Sequence, residues 1–142
     1  PSSAASDVYK RQVHALGHSL GARCHLPHGL CMNLFLPTVL DYNRPDIDPE
    51  LARLLLPLVG PERFAATPAE GRPQATIEAL QALRDTLWQT VKLPRTLREA
   101  GLTDKALLPG IRDLAINDGA LLYNRKDADR DQLLVLLERA WE

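Results

Sequence analysis

At 142 residues, with 45% hydrophobic and 25% charged residues, the chain has the size and composition of one domain with its own core, which excludes a disordered or fibrous chain. A formal net charge of -1 offers no electrostatic ground for a nucleic-acid partner, and apolar runs such as LARLLLPLVG are too short and too interrupted to span a membrane. Two cysteines, Cys24 and Cys31, are too few for a disulfide framework, and no segment resembles a signal peptide, so the reducing cytoplasm is the expected compartment.

The opening PSSAASDVYKRQ is small and polar, and it gives way abruptly to a helical pattern already under way. Residues 1–12 are therefore set apart as a non-native or frame-shifted leader, and residues 13–142 are expected to form the folded domain. From about Val13 to Cys24, Val13, Leu16, Leu20 and Cys24 recur three and four residues apart, as on one buried helix face. Leu26-Pro27 breaks this helix, because proline disfavours helical backbone at the residue before it. The apolar run LCMNLFLPTVLDYN follows, with a kink expected at Pro37.

Asp48-Pro49-Glu50 has the form of a helix start, with Asp48 as cap, and the helix should run to Gly60. Pro61 to Arg72 is predicted to be a loop. From about Pro73 to Lys92, Ile77, Leu80, Leu83, Leu87 and Val91 predict the longest amphipathic helix, and Trp88 and Trp141 are assigned to the core. Thr96 to Glu99 fits a capping box for a short turn closed by Gly101. A helix interrupted near Pro109-Gly110 is predicted over Thr103 to Asn117. A turn through Asp118-Gly119 and Asn124 leads to a last helix capped by Asp129 and Gln132. No segment alternates like a strand, so the fold class is all-α, a helical bundle or array.

All four histidines, His14, His18, His25 and His28, fall in one fifteen-residue stretch. His14 and His18 stand one turn apart on the same side of a helix, and the break at Leu26-Pro27 can return His28 to them. Neutral imidazole is the commonest protein metal ligand, so this convergence points to metal or proton chemistry. A divalent transition metal takes four to six ligands, so His14 and His28 alone leave positions to be filled by water, substrate or other residues. His25 is assigned a structural role. A compact zinc site of Cys24, His25, His28 and Cys31 is disfavoured by the adjacent Cys24-His25 pair and by cysteines on apolar helix faces.

The pattern of His14, His18, Leu20-Gly21-Ala22 and Pro27-His28-Gly29, followed by LPTVLDYN ending at Asn43, resembles the iron-dependent (group III) alcohol dehydrogenases in their C-terminal half. The closing NDGALLYNRKDADRDQLLVLLERAW resembles the family's final turn and terminal helix. The resemblance implies the helical C-terminal domain of the iron-dependent alcohol dehydrogenase and dehydroquinate synthase-like fold. It also implies that His14 and His28 bind the catalytic metal, iron(II) or in some members zinc. His18 would lie near the nicotinamide of NAD or NADP and the reacting carbon, in a catalytic and cofactor-contacting role. Ala120 would line the substrate pocket. Asn124-Arg125-Lys126 departs from the family's asparagine-proline-arginine, which puts the course of that turn in question.

The implied reaction interconverts an alcohol and its aldehyde or ketone by hydride transfer, with the metal acidifying the alcohol. The family's remaining aspartate and histidine ligands and its glycine-rich nucleotide loop have no counterpart here, so the N-terminal nucleotide-binding domain is taken to be absent and the isolated chain inactive. The full-length enzyme is expected to be a homo-oligomer acting on a small alcohol or aldehyde. The alternatives are a glycerol dehydrogenase-like or other enzyme of the same superfamily, and a non-enzymatic helical module with a structural metal or none.

Overall fold

The computed structural model describes residues 2–123 and 129–142, with side chains over 11–121 and 129–142. The class is all-α as predicted: seven α-helices and no strand occur among the described residues. They are α1 (Ser2–Cys24), α2 (His28–Tyr42), α3 (Asp48–Val59), α4 (Pro61–Ala66), α5 (Arg72–Val91), α6 (Leu108–Ala115) and α7 (Arg130–Arg139). No helix among the described residues is long and apolar enough to cross a membrane.

Helix α1 begins well before Val13 and runs through the segment set apart as a leader. Gln12, within that segment, is fully buried, and its Oε1 accepts a 2.6 Å hydrogen bond from Nδ2 of Asn43 at the end of α2. The bond pairs the amide oxygen and joins the two helices, while Gln12 Nε2 is buried without a partner among the described residues. The main core is made by Val13, Leu16 and Leu20 of α1, Leu34, Phe35 and Val39 of α2, Ile111 of α6 and Leu133, Leu136 and Leu137 of α7, closed by Trp141. A smaller cluster of Leu40, Ile47, Leu51 and Ile77 seats α3 and α5 against the end of α2.

The first two helices approach closely because glycine faces the contact. A Cβ at Gly17 would run into the Met32 side chain, and one at Gly21 would sit 3.4 Å from the Leu26 carbonyl. Helix α1 stops at His25, whose N–H makes the last helical bond to the Gly21 carbonyl at 2.9 Å and whose φ of 56° is left-handed. Histidine is one of the few residues besides glycine that adopts this conformation with any frequency. Pro37 lies within an unbroken α2; lacking an N–H, it leaves the Asn33 carbonyl without its helical donor.

Four local expectations are corrected. Asp48 is not a cap: it is the first residue of α3, and its carboxylate takes Arg44 Nε at 2.7 Å instead. The segment from Pro61 to Arg72 is not a loop, since Pro61 opens α4 and a short 3₁₀ turn covers Ala69–Gly71. Proline at a first helical turn sacrifices no hydrogen bond, so it marks a start as readily as a break. For the same reason Pro109 stands in the first turn of α6, directly after a 3₁₀ turn at Lys105–Leu107, and interrupts nothing there. The capping box at Thr96 is half formed: Thr96 Oγ1 accepts from Glu99 N at 3.1 Å, but the Glu99 carboxylate reaches back to Arg95 N. The box at Asp129 and Gln132 forms in full.

The predicted stripe of α5 is buried only where α3 covers it. At about 1.5 Å per residue, the 12-residue α3 is much shorter than the 20-residue α5. Ile77 is therefore 2% exposed, whereas Leu83 is 51% and Val91 68% exposed. Trp88, expected in the core, is half-buried on this uncovered stretch, with the Lys92 and Arg95 cations 5.4 and 5.3 Å from its ring.

Truncation of Leu16 to alanine should lower unfolding free energy by about 2–5 kcal/mol, while Leu83→Ala should change it by less than about 0.5 kcal/mol. Urea unfolding followed by circular dichroism measures both; equal losses would mean that the two leucines are equally covered.

Candidate metal centre

The site is built by helix spacing, a break and a return. On α1, His14 and His18 occupy i and i+4 positions beside the buried row of Val13, Leu16 and Leu20, so they project from the same flank of the helix. After three residues outside helical conformation, His28 opens α2 as its first residue. The Gly17 and Gly21 contacts hold the two helices close enough for its ring to meet the other two.

The three rings form a nearly equilateral triangle. Their centroids lie 5.4 Å apart for His14 and His18, 5.7 Å for His14 and His28, and 5.4 Å for His18 and His28. One donor nitrogen from each lies within 4.8 Å of the others. Bonds of about 2.0–2.1 Å to zinc-like ions place neighbouring donors about 3.3 Å apart in a tetrahedral site. Side-chain rotations of about an ångström would close the triangle onto one ion, so the donor set fits a divalent transition metal in size and in chemistry. His14 is half-buried and His18 and His28 are exposed, which leaves the open face of the triangle accessible.

His25 stays outside this group and ends α1 as described. The cysteines do not join it. Cys31 is buried in the core with its Sγ 3.7 Å from the Leu26 carbonyl, and burial pushes its thiol pKa up, as it does for half-buried Cys24. A thiol held protonated by burial is a poor metal ligand.

The structure adds Asp118, which the sequence marked only as a turn residue. Its Oδ2 lies 3.4 Å from His18 Nδ1, and its Oδ1 accepts a 2.7 Å bond from the N–H of Ala120. The side chain of Asp118 is 21% exposed and that of His18 47%. Ala120 is half-buried in the 3₁₀ turn Gly119–Tyr123, which packs on α1. One carboxylate thus joins this turn to the histidine group across a separation of 100 residues. Only the Asp-Gly turn signal preceded it, and nothing in that signal names a partner. Asn124-Arg125-Lys126 lies outside the described residues.

The chain is thus an all-helical domain with a three-histidine group at a helix break, and sequence comparison makes the family explicit. The profile of the Fe-containing alcohol dehydrogenase family, C-terminal region, matches residues 3–141, and the chain belongs to that family. It is 31% identical over 132 residues to alcohol dehydrogenase 4 of Saccharomyces cerevisiae, covering 92% of this chain and 31% of the relative. With lactaldehyde reductase of Escherichia coli it shares 30% identity over 136 residues, covering 96% of this chain and 34% of the relative. The chain thus spans about a third of the length of these relatives. Among solved structures, a 1,3-propanediol oxidoreductase superposes with a TM-score of 0.76 at 22% identity, over 92% of this chain and 32% of that one, a likeness of fold.

If Cys31 is core and not ligand, it should stay unlabelled by a thiol reagent in the native protein and react fully once unfolded in denaturant. Rapid native labelling of Cys31, or its protection by added zinc, would return it to the list of candidate ligands.

Proposed function

We propose that this chain supplies the C-terminal half of the metal and substrate site of an NAD(P)-dependent alcohol dehydrogenase, which interconverts a small alcohol and its aldehyde or ketone. The observation that carries this reading is the His14, His18 and His28 triangle, with its donor atoms within 4.8 Å of one another. His14 and His28, held by two different helices, are the two metal ligands, for iron(II) or alternatively zinc. His18, on the open side of the same group, is the neighbour of the nicotinamide and the reacting carbon.

When bound, the metal supplies Lewis acidity toward the alcohol oxygen and the nicotinamide supplies the hydride acceptor. The protein's own part is placement. His14 and His28, on packed helices, would hold the metal, and His18 beside them would orient the reacting group or take up its proton. Ala120, tied through Asp118 to His18, lines the substrate pocket with a methyl group, which leaves room for substrate. Two ligands are half of a four-ligand site, so the other donors and the nucleotide-binding surface come from outside these residues. Two free thiols and no disulfide between them support a reducing compartment such as the cytoplasm.

In the full-length gene product, His28→Ala should abolish stoichiometric metal binding and lower kcat/KM for alcohol oxidation by at least about 100-fold, whereas His25→Ala should leave both within about twofold. Metal analysis and the dehydrogenase assay decide it; retained metal and an unchanged rate in His28→Ala would remove the assignment. The 142-residue chain alone should bind cobalt(II) with dependence on His14 and His28 yet turn over no alcohol with NAD or NADP. Measured turnover by this polypeptide by itself would overturn the division of the site.

A further inference from the structure

We infer that Asp118 is a positioning residue: it holds the His18 ring with the proton on Nδ1, which leaves the lone pair on Nε2. The geometry starts with the carboxylate. Asp118 Oδ1 accepts the Ala120 N–H at 2.7 Å, an Asx turn that restrains the side chain, while the Asp118 carbonyl accepts from Leu121 N at 3.0 Å. With one oxygen engaged by its own turn, the other lies toward α1, 3.4 Å from His18 Nδ1.

An ionised carboxylate only accepts hydrogen bonds, so it favours the ring form that carries hydrogen on Nδ1. At 47% side-chain exposure, His18 is not fixed by burial, and the Asp118 carboxylate lies beside its Nδ1. The consequence is chemical. A neutral ring with hydrogen on Nδ1 keeps a lone pair on Nε2, which can accept a proton or face a cation. The opposite form would carry an N–H on Nε2 and leave no lone pair there. The same carboxylate anchors the turn of Ala120, so ring orientation and the position of the pocket-lining turn are set together.

The catalytic importance of this arrangement rests on the placement of His18 proposed above, but the ring form of His18 does not, and it can be measured without metal, substrate or turnover. The 142-residue chain is labelled with ¹⁵N-histidine and kept metal-free with a chelator, at a pH about two units above the ordinary imidazole pKa near 6.5. Long-range ¹H–¹⁵N correlation then shows which ring nitrogen of each histidine carries hydrogen, with His18 assigned by its loss in His18→Gln.

The expected result is His18 mainly in the Nδ1–H form in the wild type. It should revert to the commoner Nε2–H form in Asp118→Ala and also in Asp118→Asn, whose single amide oxygen stays on the Ala120 N–H and turns a donor NH2 toward Nδ1. A role confined to bracing the Ala120 turn would leave the His18 ring form unchanged in all three proteins. A wild-type His18 in the Nε2–H form, or an Asp118→Ala ring identical to wild type, would overturn the inference. Should Asp118→Ala fail to fold, the wild-type spectrum decides by itself. Failure of the dehydrogenase reading appears elsewhere, as metal retained in His28→Ala, and leaves the ring form of His18 as measured.

Discussion

The structure depends on the close contact of α1 and α2 across the three-residue break at His25, Leu26 and Pro27. Gly17 and Gly21 remove the side chains that would keep the helices apart, and Leu16, Leu20, Leu34 and Phe35 fill the seam with buried surface. Burying a leucine or phenylalanine side chain contributes about 1.5–3 kcal/mol each, so this seam supplies much of what fixes the domain. The same contact lays His28 beside His14 and His18. Core and candidate site are two sides of one helix pair.

That arrangement accounts for the site's rigidity. His14 and His18 ride on a helix whose row of Val13, Leu16 and Leu20 is buried, and His28 sits at the first residue of a helix tied to α1 at its other end by Asn43 on Gln12. Tyr42 adds a 2.7 Å bond to Gln132, which itself serves the capping box that starts α7. Ligands held on packed helices lose little further freedom when an ion binds, whereas the same residues on a loop would have to be ordered first. The outlying pair of α3 and α5 is seated on a smaller cluster and leaves apolar side chains uncovered along the far half of α5.

The corrections to the sequence-based expectations share a cause. In the sequence Pro61 and Pro109 suggest a loop and an interruption, yet each stands in a first helical turn, where the missing N–H costs nothing. Proline at the start of a helix and proline that stops one look alike until it is known which neighbouring residues find hydrogen-bond partners. Asp48 carried a cap signature, but Arg44 one turn before it offers a charged donor at 2.7 Å, and the carboxylate turns to that instead. Leu83, Trp88 and Val91 obeyed helical periodicity but lie beyond the end of α3. Periodicity reports that a face is apolar, and the length of the neighbouring element decides whether it is covered.

By itself the sequence determined what is local: the helical class, the i, i+4 pairing of His14 and His18, the break that brings His28 into range, and the family pattern that these residues carry. These follow from 3.6 residues per turn and from proline's fixed backbone, which act within a few residues. Tertiary structure alone decided the contact of Asp118 with His18 across 100 residues and the bond of Gln12 to Asn43. Such contacts arise from packing a few helices into one core, where a side chain's partner is set by which helix faces meet and not by its sequence neighbours.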